Sequence, residues 1–537
     1  MGGKYMKSNI IKYIFILVVI GLVGYSAYLL YGRQEEMVQN PIQETKTTQA
    51  DIITNIRVPI VGFDTINPIL SKNQQIQDLA RLVYEPLLNV SKDGKIQLCL
   101  AKEWSKTSAT SYVIKLKENV KWQDGNKLTA KDVQYTMDRL KDTNVSTIYA
   151  YNVKDVIGVE VIDDTTIKIN LGQEVPFFEY NLTFPIMSHI YYENEDFVNT
   201  SKNNNPVGTG RFKAVNDNGN MMLKQNQNWW NLENDATKLT QIQLVKFENM
   251  GEVYNAFKIG NIDLLTTQTI SLEDYIGTIG YQKKEYLGRN FDYVSFNCDN
   301  KILSDPQVRK AISYLMDKEN IVSGIYKGKY RICNFPLDNG NYVYDASIIG
   351  NEYNQEKAKE TLTNAGWVMS KNTWQKTENY RTTKLRLDLV VNDSNGKRVE
   401  VADNIANNLR SFGIDVTVKK VSDSQYKSYL EKRNYDMILT GVYTGYSPDL
   451  SSYFGDANLA NFQNEEIKRL IQEIKEIQDE KILKEKYQRI CEIYKEQMPY
   501  VFLYLNQNTL AYSTKLLGEI DPYSYDVYQG IGTWYRQ

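Results

Sequence analysis

The sequence predicts an α/β fold, because segments typical of strands alternate along the chain with segments typical of helices. Strand-like runs at 385–391 and 414–421 flank a helical pattern at 399–412, and a third strand-like run follows at 436–439. An alternating apolar pattern at 112–116 also precedes a helical one. With 537 residues, 42% hydrophobic and 24% charged, the chain is long enough for several folded units of ordinary globular composition.

The first element is an uncharged, apolar segment at 13–32. At about 1.5 Å per residue, a helix of this length covers roughly 30 Å, the thickness of a bilayer core. Three lysines precede it within 1–12 and the first acidic residue is Glu35, so we expect a cytoplasmic N-terminus, a single-pass transmembrane anchor and an extracytoplasmic remainder. A cleaved signal peptide is the alternative, since small residues occur within 24–27. Residues 33–50 are mostly polar and predict a flexible stalk.

The chain continues with a strand, a turn and a helix between residues 112 and 140. The alternation at 112–116 predicts a half-buried strand, and the Asp-Gly pair at 124–125 predicts a turn. Thr129, followed three residues later by Asp132, forms a variant capping box that marks the start of a helix. Apolar residues spaced i, i+4 and i+7 along 133–140 continue that helix.

The starts of two later helices are also marked by capping residues. A Ser-Asp-Pro run at 304–306 supplies a cap and a proline at the first helical position. Asn464 precedes an apolar stripe at 467–477, and a further helix is expected to reach Gln497. We interpret these stripes as faces packed on a core, because cofactor-binding motifs have no such periodicity.

Composition and motifs argue against several functions. The near balance of 63 basic and 65 acidic residues argues against nucleic-acid binding. A single histidine, His189, rules out sites built on histidine pairs, and its apolar surroundings favour a structural role. The sequence has no motif of a serine hydrolase, phosphate-binding loop, zinc protease or EF-hand, and residues 207–210 are interpreted as a tight turn in which glycine permits unusual backbone angles. A catalytic carboxylate pair stays open, because its members can lie far apart in the sequence.

Cysteine and tyrosine usage gives two weaker indications. Cys99, Cys298, Cys333 and Cys491 are scattered, which is compatible with isolated buried thiols or with a bridge between Cys298 and Cys333. The 40 tyrosines exceed what a core of this size requires. They indicate either an aromatic-lined binding surface or a drift of composition that leaves tyrosine on the surface.

One stretch of about thirty residues carries a family signature. Residues 100–133 read LAKEWSKTSATSYVIKLKENVKWQDGNKLTAKDV, which resembles the signature of the extracytoplasmic solute-binding proteins, family 5, the binding components of peptide and nickel ABC importers. The matching positions are Leu100-Ala101, Trp104, Val120, Trp122, Asp124-Gly125, Leu128-Thr129-Ala130 and Asp132-Val133. Further short segments resemble the family's pattern and occur in the family's order. They lie at 67–68, 84–87, 206–212, 258–263, 295–297, 308–312, 317–318, 365–367, 412–414 and 435–437.

The resemblance implies a two-lobed, type II periplasmic-binding-protein-like fold that encloses its ligand when the lobes close about a two-strand hinge. The first lobe would combine 51–288 with 507–537 and include a subdomain at about 72–203. The second lobe would span 289–506. Such a protein binds and releases solute without catalysis or a cofactor, while other subunits hydrolyse ATP.

The resemblance also points to the ligand site. In peptide-binding members of the family, an Asp in the loop after the strand that matches 435–440 pairs with the peptide's amine. In this chain the loop at 441–449 reads GVYTGYSPD, and the position aligned with that Asp is Gly445. Asp449 is a substitute for that Asp or a helix-capping residue. The stretch that supplies an Arg for short-peptide carboxylates reads Asn392-Asp393-Ser394, with no cation. The candidate ligand contacts are Asn67, Asn392, Asp393, Tyr443, Gly445, Tyr446 and Asp449.

These departures favour a longer peptide, held by backbone hydrogen bonds and packed on tyrosine side chains. The implied partners are ABC permease subunits with their ATPases, and the membrane through the N-terminal helix. One histidine argues against a nickel complex as ligand. The alternatives are an oligosaccharide ligand, a peptide receptor or sensor with the same fold, and a two-carboxylate hydrolase.

Overall fold

The structure, a computed structural model, describes residues 53–217, 219–349 and 352–537. The predicted cytoplasmic N-terminus at 1–12 and the membrane segment at 13–32 lie outside the described residues, as does the predicted stalk. Within the described ranges, none of the helices combines the length and apolar content that crossing a bilayer requires. Residues 54–536 pack as one unit, which is described below.

Strands form several separate sheets in this unit. In chain order the strands are β1 Asn55–Val61, β2 Leu88–Val90, β3 Ile96–Leu98, β4 Ala101–Ser108, β5 Ser111–Leu116, β6 Val156–Val161, β7 Thr166–Leu171, β8 Phe212–Asp217, β9 Asn220–Gln225, β10 Gln241–Phe247, β11 Leu264–Thr267, β12 Tyr281–Phe296, β13 Tyr330–Ile332, β14 Val368–Ser370, β15 Thr373–Glu378, β16 Arg381–Lys384, β17 Arg386–Asn392, β18 Asp415–Val421, β19 Met437–Tyr443, β20 Tyr500–Ser513, β21 Leu516–Leu517 and β22 Tyr535–Arg536. The largest sheet has the order β11-β20-β12-β19-β17-β18, with β13 paired to β20. In it β17 is parallel to β18 and β19, and the other pairs are antiparallel.

Smaller sheets and helices complete the architecture. Two four-stranded sheets have the orders β1-β10-β9-β8 and β4-β5-β7-β6, and β14, β15 and β16 form a meander. The short pairs are β2-β3 and β21-β22. The α-helices are α1 Gln74–Ala80, α2 Ala130–Lys141, α3 Met250–Lys258, α4 Glu273–Ile276, α5 Pro306–Ser313, α6 Lys318–Asn320, α7 Gln355–Asn364, α8 Gly396–Ser411, α9 Asp423–Lys432, α10 Ser451–Phe454, α11 Glu465–Ile474 and α12 Glu480–Gln497.

Buried apolar side chains form two main cores. The first core draws on residues between 56 and 286 and again between 510 and 534, including both four-stranded sheets. The second core draws on residues between 293 and 504, including β17 to β19 and the helices α8, α11 and α12. Two chain segments, within β12 and β20, therefore carry the backbone from one core to the other.

The strands β12 and β20 pair with each other on both sides of an irregularity. Residues 281–287 of β12 pair with 507–513, and residues 291–295 pair with 500–505. The register shifts between Leu287 and Phe291, where Gly288 faces the buried side chain of Asn506. A β-carbon at Gly288 would overlap the Asn506 amide, whose Oδ1 accepts a hydrogen bond from the backbone of Asn290 at 2.9 Å.

Helix starts predicted from capping signals are confirmed. The capping box of Thr129 and Asp132 is formed, and α2 begins at the next residue, Ala130. Asp305 caps α5, and Pro306 takes its first position. Asn464 caps α11 through the backbone of Ile467, at 3.0 Å. The predicted strand–helix–strand unit is observed as β17, α8 and β18.

The interpretation of residues 207–210 was wrong in its physical reason. Neither Gly208 nor Gly210 adopts a positive φ. Instead, their backbone lies against that of Leu82 and Val83, and a β-carbon at Gly210 would stand 2.6 Å from the Leu82 carbonyl oxygen. The Gly210 N–H donates to the Val83 carbonyl at 2.9 Å. Glycine is required here for close approach of two backbones.

The cysteines and the histidine have structural surroundings. All four cysteines are free thiols, so the bridge between Cys298 and Cys333 that the sequence left open is not formed. The backbone N–H of His189 donates to Asp132 Oδ1 at 2.8 Å, and its Nδ1 lies 2.7 Å from the same oxygen. Asp132 is buried and also accepts from Trp122 Nε1 at 3.2 Å. His189 therefore belongs to a structural network at the start of α2.

Candidate functional site

A cavity of about 720 Å³ lies between segments that carry the first core and segments that carry the second. The first-core side contributes Asp78, Arg81 and Tyr525 to its wall, among other residues. The second-core side contributes the end of β19 and the loop after it, residues 442–447 and 449, and Tyr453 on α10. A molecule held in this cavity therefore contacts both sides, and the volume is in the range of small-molecule binding sites.

Four predicted site residues lie together on this wall: Tyr443, Gly445, Tyr446 and Asp449. Tyr443 is the last residue of β19 and pairs with Asn290 of β12, and the other three residues follow in the next loop. Tyr443 is 66% exposed, so its ring is available to a ligand. Nothing lies within 4 Å of the position that a β-carbon would take at Gly445, which leaves open space beside the backbone.

Tyr446 reaches from the second-core side to the first-core side. Its hydroxyl donates to the carbonyl oxygen of Ser524 at 2.7 Å, and its ring meets that of Tyr525 edge-on, with centroids 5.1 Å apart. The Arg289 guanidinium lies 4.3 Å from the Tyr446 ring centroid. Burial raises the pKa of Tyr446 to about 12, so the hydroxyl remains a donor at neutral pH.

Asp449 has partners within its own loop. Its Oδ1 accepts from the backbone N–H of Ser451 at 2.9 Å and from the Ser451 hydroxyl at 2.6 Å. Both bonds fix the turn that leads into α10, whose N-cap residue is Leu450, so Asp449 organises its own loop and is not the cap of the helix. The half-buried carboxylate nevertheless lines the cavity.

The other three predicted residues lie elsewhere. Asn67 is fully buried, and its Nδ2 donates to Asn203 Oδ1 at 2.8 Å. Asn392 ends β17 and donates to Asp423 Oδ1 at 2.6 Å, while the neighbouring Asp393 is exposed. None of the three lines the 720 Å³ cavity, so their ligand contacts remain predictions without support from its geometry.

The sequence did not single out the residues that α1 and the C-terminal segment bring to the cavity. Asp78 accepts from Gln74 Nε2 at 2.9 Å, and burial raises the pKa of its carboxyl group to about 6. The guanidinium of Arg81 lies 3.7 Å from the ring centroid of Tyr525. The available signal was a pair of opposite charges three residues apart beside an apolar run, which is common on ordinary surface helices.

A second cavity of about 500 Å³ adjoins the first, and Arg81 and Tyr525 line both. Deeper in it, the indole N–H groups of Trp229 and Trp230 donate to the carboxylate of Glu85 at 3.1 and 2.8 Å. Burial raises the pKa of Glu85. The two indoles therefore hold a buried carboxyl group in place on the first-core side.

Metal-binding geometry is not found in the described part of the chain. There, no group of three or more His, Cys, Asp or Glu side chains is arranged to hold a metal ion. The chemistry on the cavity wall is that of tyrosine rings, amides and a few charges.

Comparison with known proteins gives three relatives of similar length. The oligopeptide-binding protein OppA of Bacillus subtilis is 23% identical, over 90% of this chain and 93% of its own. The structure of HbpA2 from Haemophilus parasuis matches with a TM-score of 0.76 at 20% identity, over 89% of this chain and 99% of that one. The oligopeptide-binding protein AppA of Bacillus subtilis, solved with a nonapeptide, matches with a TM-score of 0.58 at 22% identity, over 90% and 99%.

These solved structures share the fold described above. The model of the middle region of one family, the bacterial extracellular solute-binding proteins, family 5, matches residues 95–464. This match covers more than half of the chain and includes the loop after β19 that lines the cavity, whereas Asp78, Arg81 and Tyr525 lie outside it. The chain therefore belongs to the bacterial extracellular solute-binding proteins, family 5.

Proposed function

We propose that this chain captures a peptide in the 720 Å³ cavity and delivers it to the permease subunits of an ABC importer, whose ATPases drive uptake. The family consists of extracellular solute-binding proteins. Two of the relatives compared above are named for oligopeptide binding, and one was solved with a nonapeptide. The proposal carries that ligand class over to this chain.

The observation that carries the proposal is the position of the cavity between two cores that β12 and β20 join. The proposed lobes are residues 51–288 with 507–537, and residues 289–506. Two facts support this division: the first core draws on 56–286 and 510–534, and the second on 293–504. Two connecting strands let such lobes rotate, so that ligand binding is coupled to closure.

The wall of the cavity suits a peptide. We propose that Tyr443, Gly445, Tyr446 and Asp449 contact it. Tyrosine rings offer broad apolar faces with polar tips, which pack on side chains of varied shape. The open space beside Gly445 lets a peptide backbone approach closely.

We further propose that the segment at 13–32 tethers the protein to the outer face of the membrane. The support is its length, its lack of charge and the lysines that precede it. Tethering keeps the binding protein near its permease, which raises the effective concentration of the pair.

Mass spectrometry of the molecules released on denaturing purified residues 51–537 tests the ligand class. We expect peptides to be released. Gly445→Tyr should release less peptide and bind the released peptides at least about tenfold more weakly, equivalent to ~1.4 kcal/mol of affinity, because the new ring occupies the cavity.

Gly396→Tyr is the matched control. At Gly396, too, no atom lies within 4 Å of the position that a β-carbon would take, and φ is not positive, but this residue starts α8 and does not line the cavity. This variant should release as much peptide as the unaltered protein. Release of glycans in place of peptides, or of no ligand at all, would overturn the proposal.

A further inference from the structure

The guanidinium of Arg81 lies on the wall of the proposed ligand cavity without an ionic partner among the described residues. Its one close neighbour of note is the ring of Tyr525, 3.7 Å from the guanidinium carbon. Two other cations that lie over aromatic rings are paired: Lys154 with Asp155 at 3.9 Å, and Arg211 with Asp235. Arg81 therefore retains charge that no neighbouring side chain compensates directly.

The shape of the arginine head group determines what can compensate it. A guanidinium is planar, and its N–H groups point outward from its edge. Tyr525 covers one face of the plane and takes one hydrogen bond from Arg81, so the remaining donors at the edge are left for other partners. Two parallel N–H groups match the two oxygens of a carboxylate, which is the strongest common partner of arginine.

The surrounding charges leave Arg81 as the one place on this wall for an anionic group. Among the described lining residues, the other cation is Lys154, which pairs with Asp155. Glu174 on the same wall is compensated by Lys106, at 3.0 Å. An anionic ligand placed elsewhere would face Asp155, Glu174 or Asp449 without a free cation.

The carboxyl groups nearest to Arg81 compensate it only in part. Asp78 and Asp526 interact with it electrostatically, but neither forms an ion pair with it. Burial raises the pKa of both carboxyl groups, to about 6 for Asp78. Their negative charge is therefore costly where they stand, whereas a ligand carboxylate would bring its charge directly to the N–H groups of Arg81.

We propose that Arg81 binds a carboxylate of the ligand, and that this carboxylate is the free C-terminus of a peptide. The proposal rests on the proposed function and makes it more specific. The stretch that supplies an arginine for this purpose in related short-peptide binders reads Asn392-Asp393 here. Arg81 would supply the missing cation from the first-core side of the cavity.

A competition between two pools of synthetic random peptides tests this assignment. One pool carries free C-terminal carboxylates, and the other carries C-terminal amides of the same sequences. Purified protein is stripped of ligand, mixed with both pools and washed, and the captured peptides are identified by mass. We expect the free acids to be captured with a preference of at least about tenfold, since a bidentate charge-assisted bond is lost with the amide.

Arginine variants separate binding from folding. Arg81→Gln should abolish the preference for free acids, and Arg81→Lys should restore part of it, because lysine keeps the charge without the planar fork. Arg139→Gln is the matched control, because Arg139 also lies over a tyrosine ring, at 5.4 Å from Tyr135, but does not line the cavity. That variant should keep the full preference. Unfolding midpoints of all the variants show whether each is folded.

Each outcome has a separate meaning. Two results would overturn the assignment of Arg81 and leave the peptide proposal intact. One is equal capture of both pools by the unaltered protein, and the other is a preference for free acids that survives in a folded Arg81→Gln variant. Capture of amides enriched in Asp or Glu, lost in Arg81→Gln, would support Arg81 as a carboxylate site and identify the source as a side chain. Capture of neither pool would overturn the proposed function and this inference with it.

Discussion

Asp78 shows how a single residue can cost stability at a binding site. The residue is 9% exposed, and burial raises the pKa of its carboxyl group from 3.8 to about 6. Between about pH 4 and pH 6 the folded protein keeps a proton on this group that the unfolded chain has lost. Folding stability therefore falls as pH rises through this window, and the loss persists above it.

Replacing Asp78 by Asn should remove that cost. The amide keeps an acceptor for Gln74 Nε2 but carries no charge. We expect the free energy of unfolding at pH 7 to rise by up to about 3 kcal/mol, the equivalent of the pKa difference, and the stability between pH 4 and pH 6 to become flatter. Calorimetric unfolding across this pH range measures both effects.

Asp163→Asn serves as the control for the Asp78 prediction. Hydrogen bonds from Thr165 lower the pKa of the exposed Asp163, so its replacement should not stabilise the protein at pH 7. An Asp78→Asn variant that is no more stable than the parent, with an unchanged pH dependence, would contradict the argument.

At the residue scale, the sequence predicted one side of the cavity better than the other. Tyr443, Gly445 and Tyr446 were predicted because the family resemblance pointed to the loop at 441–449, and they do line the cavity. Arg81 was not, because its role depends on Tyr525, which lies more than four hundred residues along the chain. Nothing in the spacing of α1 indicates that a C-terminal ring will cover one face of its guanidinium.

Among the secondary-structure elements, the irregularity between β12 and β20 has the clearest mechanical meaning. The register shifts next to Gly288, and the Asn506 side chain occupies the space that a β-carbon would need there. That side chain also accepts the N–H of Asn290, a donor that would otherwise have no strand partner. At this break in the ladder, one buried amide takes the place of a backbone partner.

Gly288→Ala should displace the Asn506 amide and leave the Asn290 N–H unpaired. We expect a loss of about 1–3 kcal/mol of stability, the usual cost of an unsatisfied buried polar group. Asn506→Ala should cost a similar amount, and the double variant should cost little more than either, because the alanine at 506 makes room for the one at 288. Thermal unfolding of the four proteins provides the double-mutant cycle.

Strictly additive effects in that cycle would contradict a direct clash between the two positions. Gly396→Ala is a suitable control, since the space beside Gly396 is open. It should leave stability unchanged or raise it slightly, because alanine favours a helix.

At this scale, local signals predicted helix starts and strand existence but not strand pairing. The capping residues at 129, 305 and 464 act through contacts with the next few residues, so the sequence contains the whole signal. The pairing of β12 with β20 joins segments about two hundred residues apart. Periodicity cannot specify such a partner, and the hinge was expected only through the family resemblance.

For the whole molecule, the predicted α/β class is observed, and the family resemblance added the prediction of two lobes, which periodicity alone did not provide. The same resemblance placed Asn392 and Asp393 at the ligand, whereas Asn392 donates to Asp423 and Asp393 lies in the exposed turn after β17. Neither residue lines the 720 Å³ cavity, so their ligand contacts stay predictions that rest on the resemblance alone. A shared fold does not by itself assign the roles of single residues.

Contacts between the two sides of the cavity should determine how easily the proposed lobes separate. Lys106 on β4 lies 3.0 Å from Glu476, which follows α11, and 3.0 Å from Glu174 beside it. Lys106→Met leaves these carboxylates facing each other, so we expect a larger radius of gyration by small-angle scattering and about three- to tenfold weaker binding of the released peptide.

Lys115→Met, which removes a pair with Glu103 on the neighbouring strand, should change neither quantity. Added salt should weaken binding in the parent more than in Lys106→Met, because screening acts on the removed pair. Equal radii and affinities in both variants would show that this contact does not stabilise the closed form.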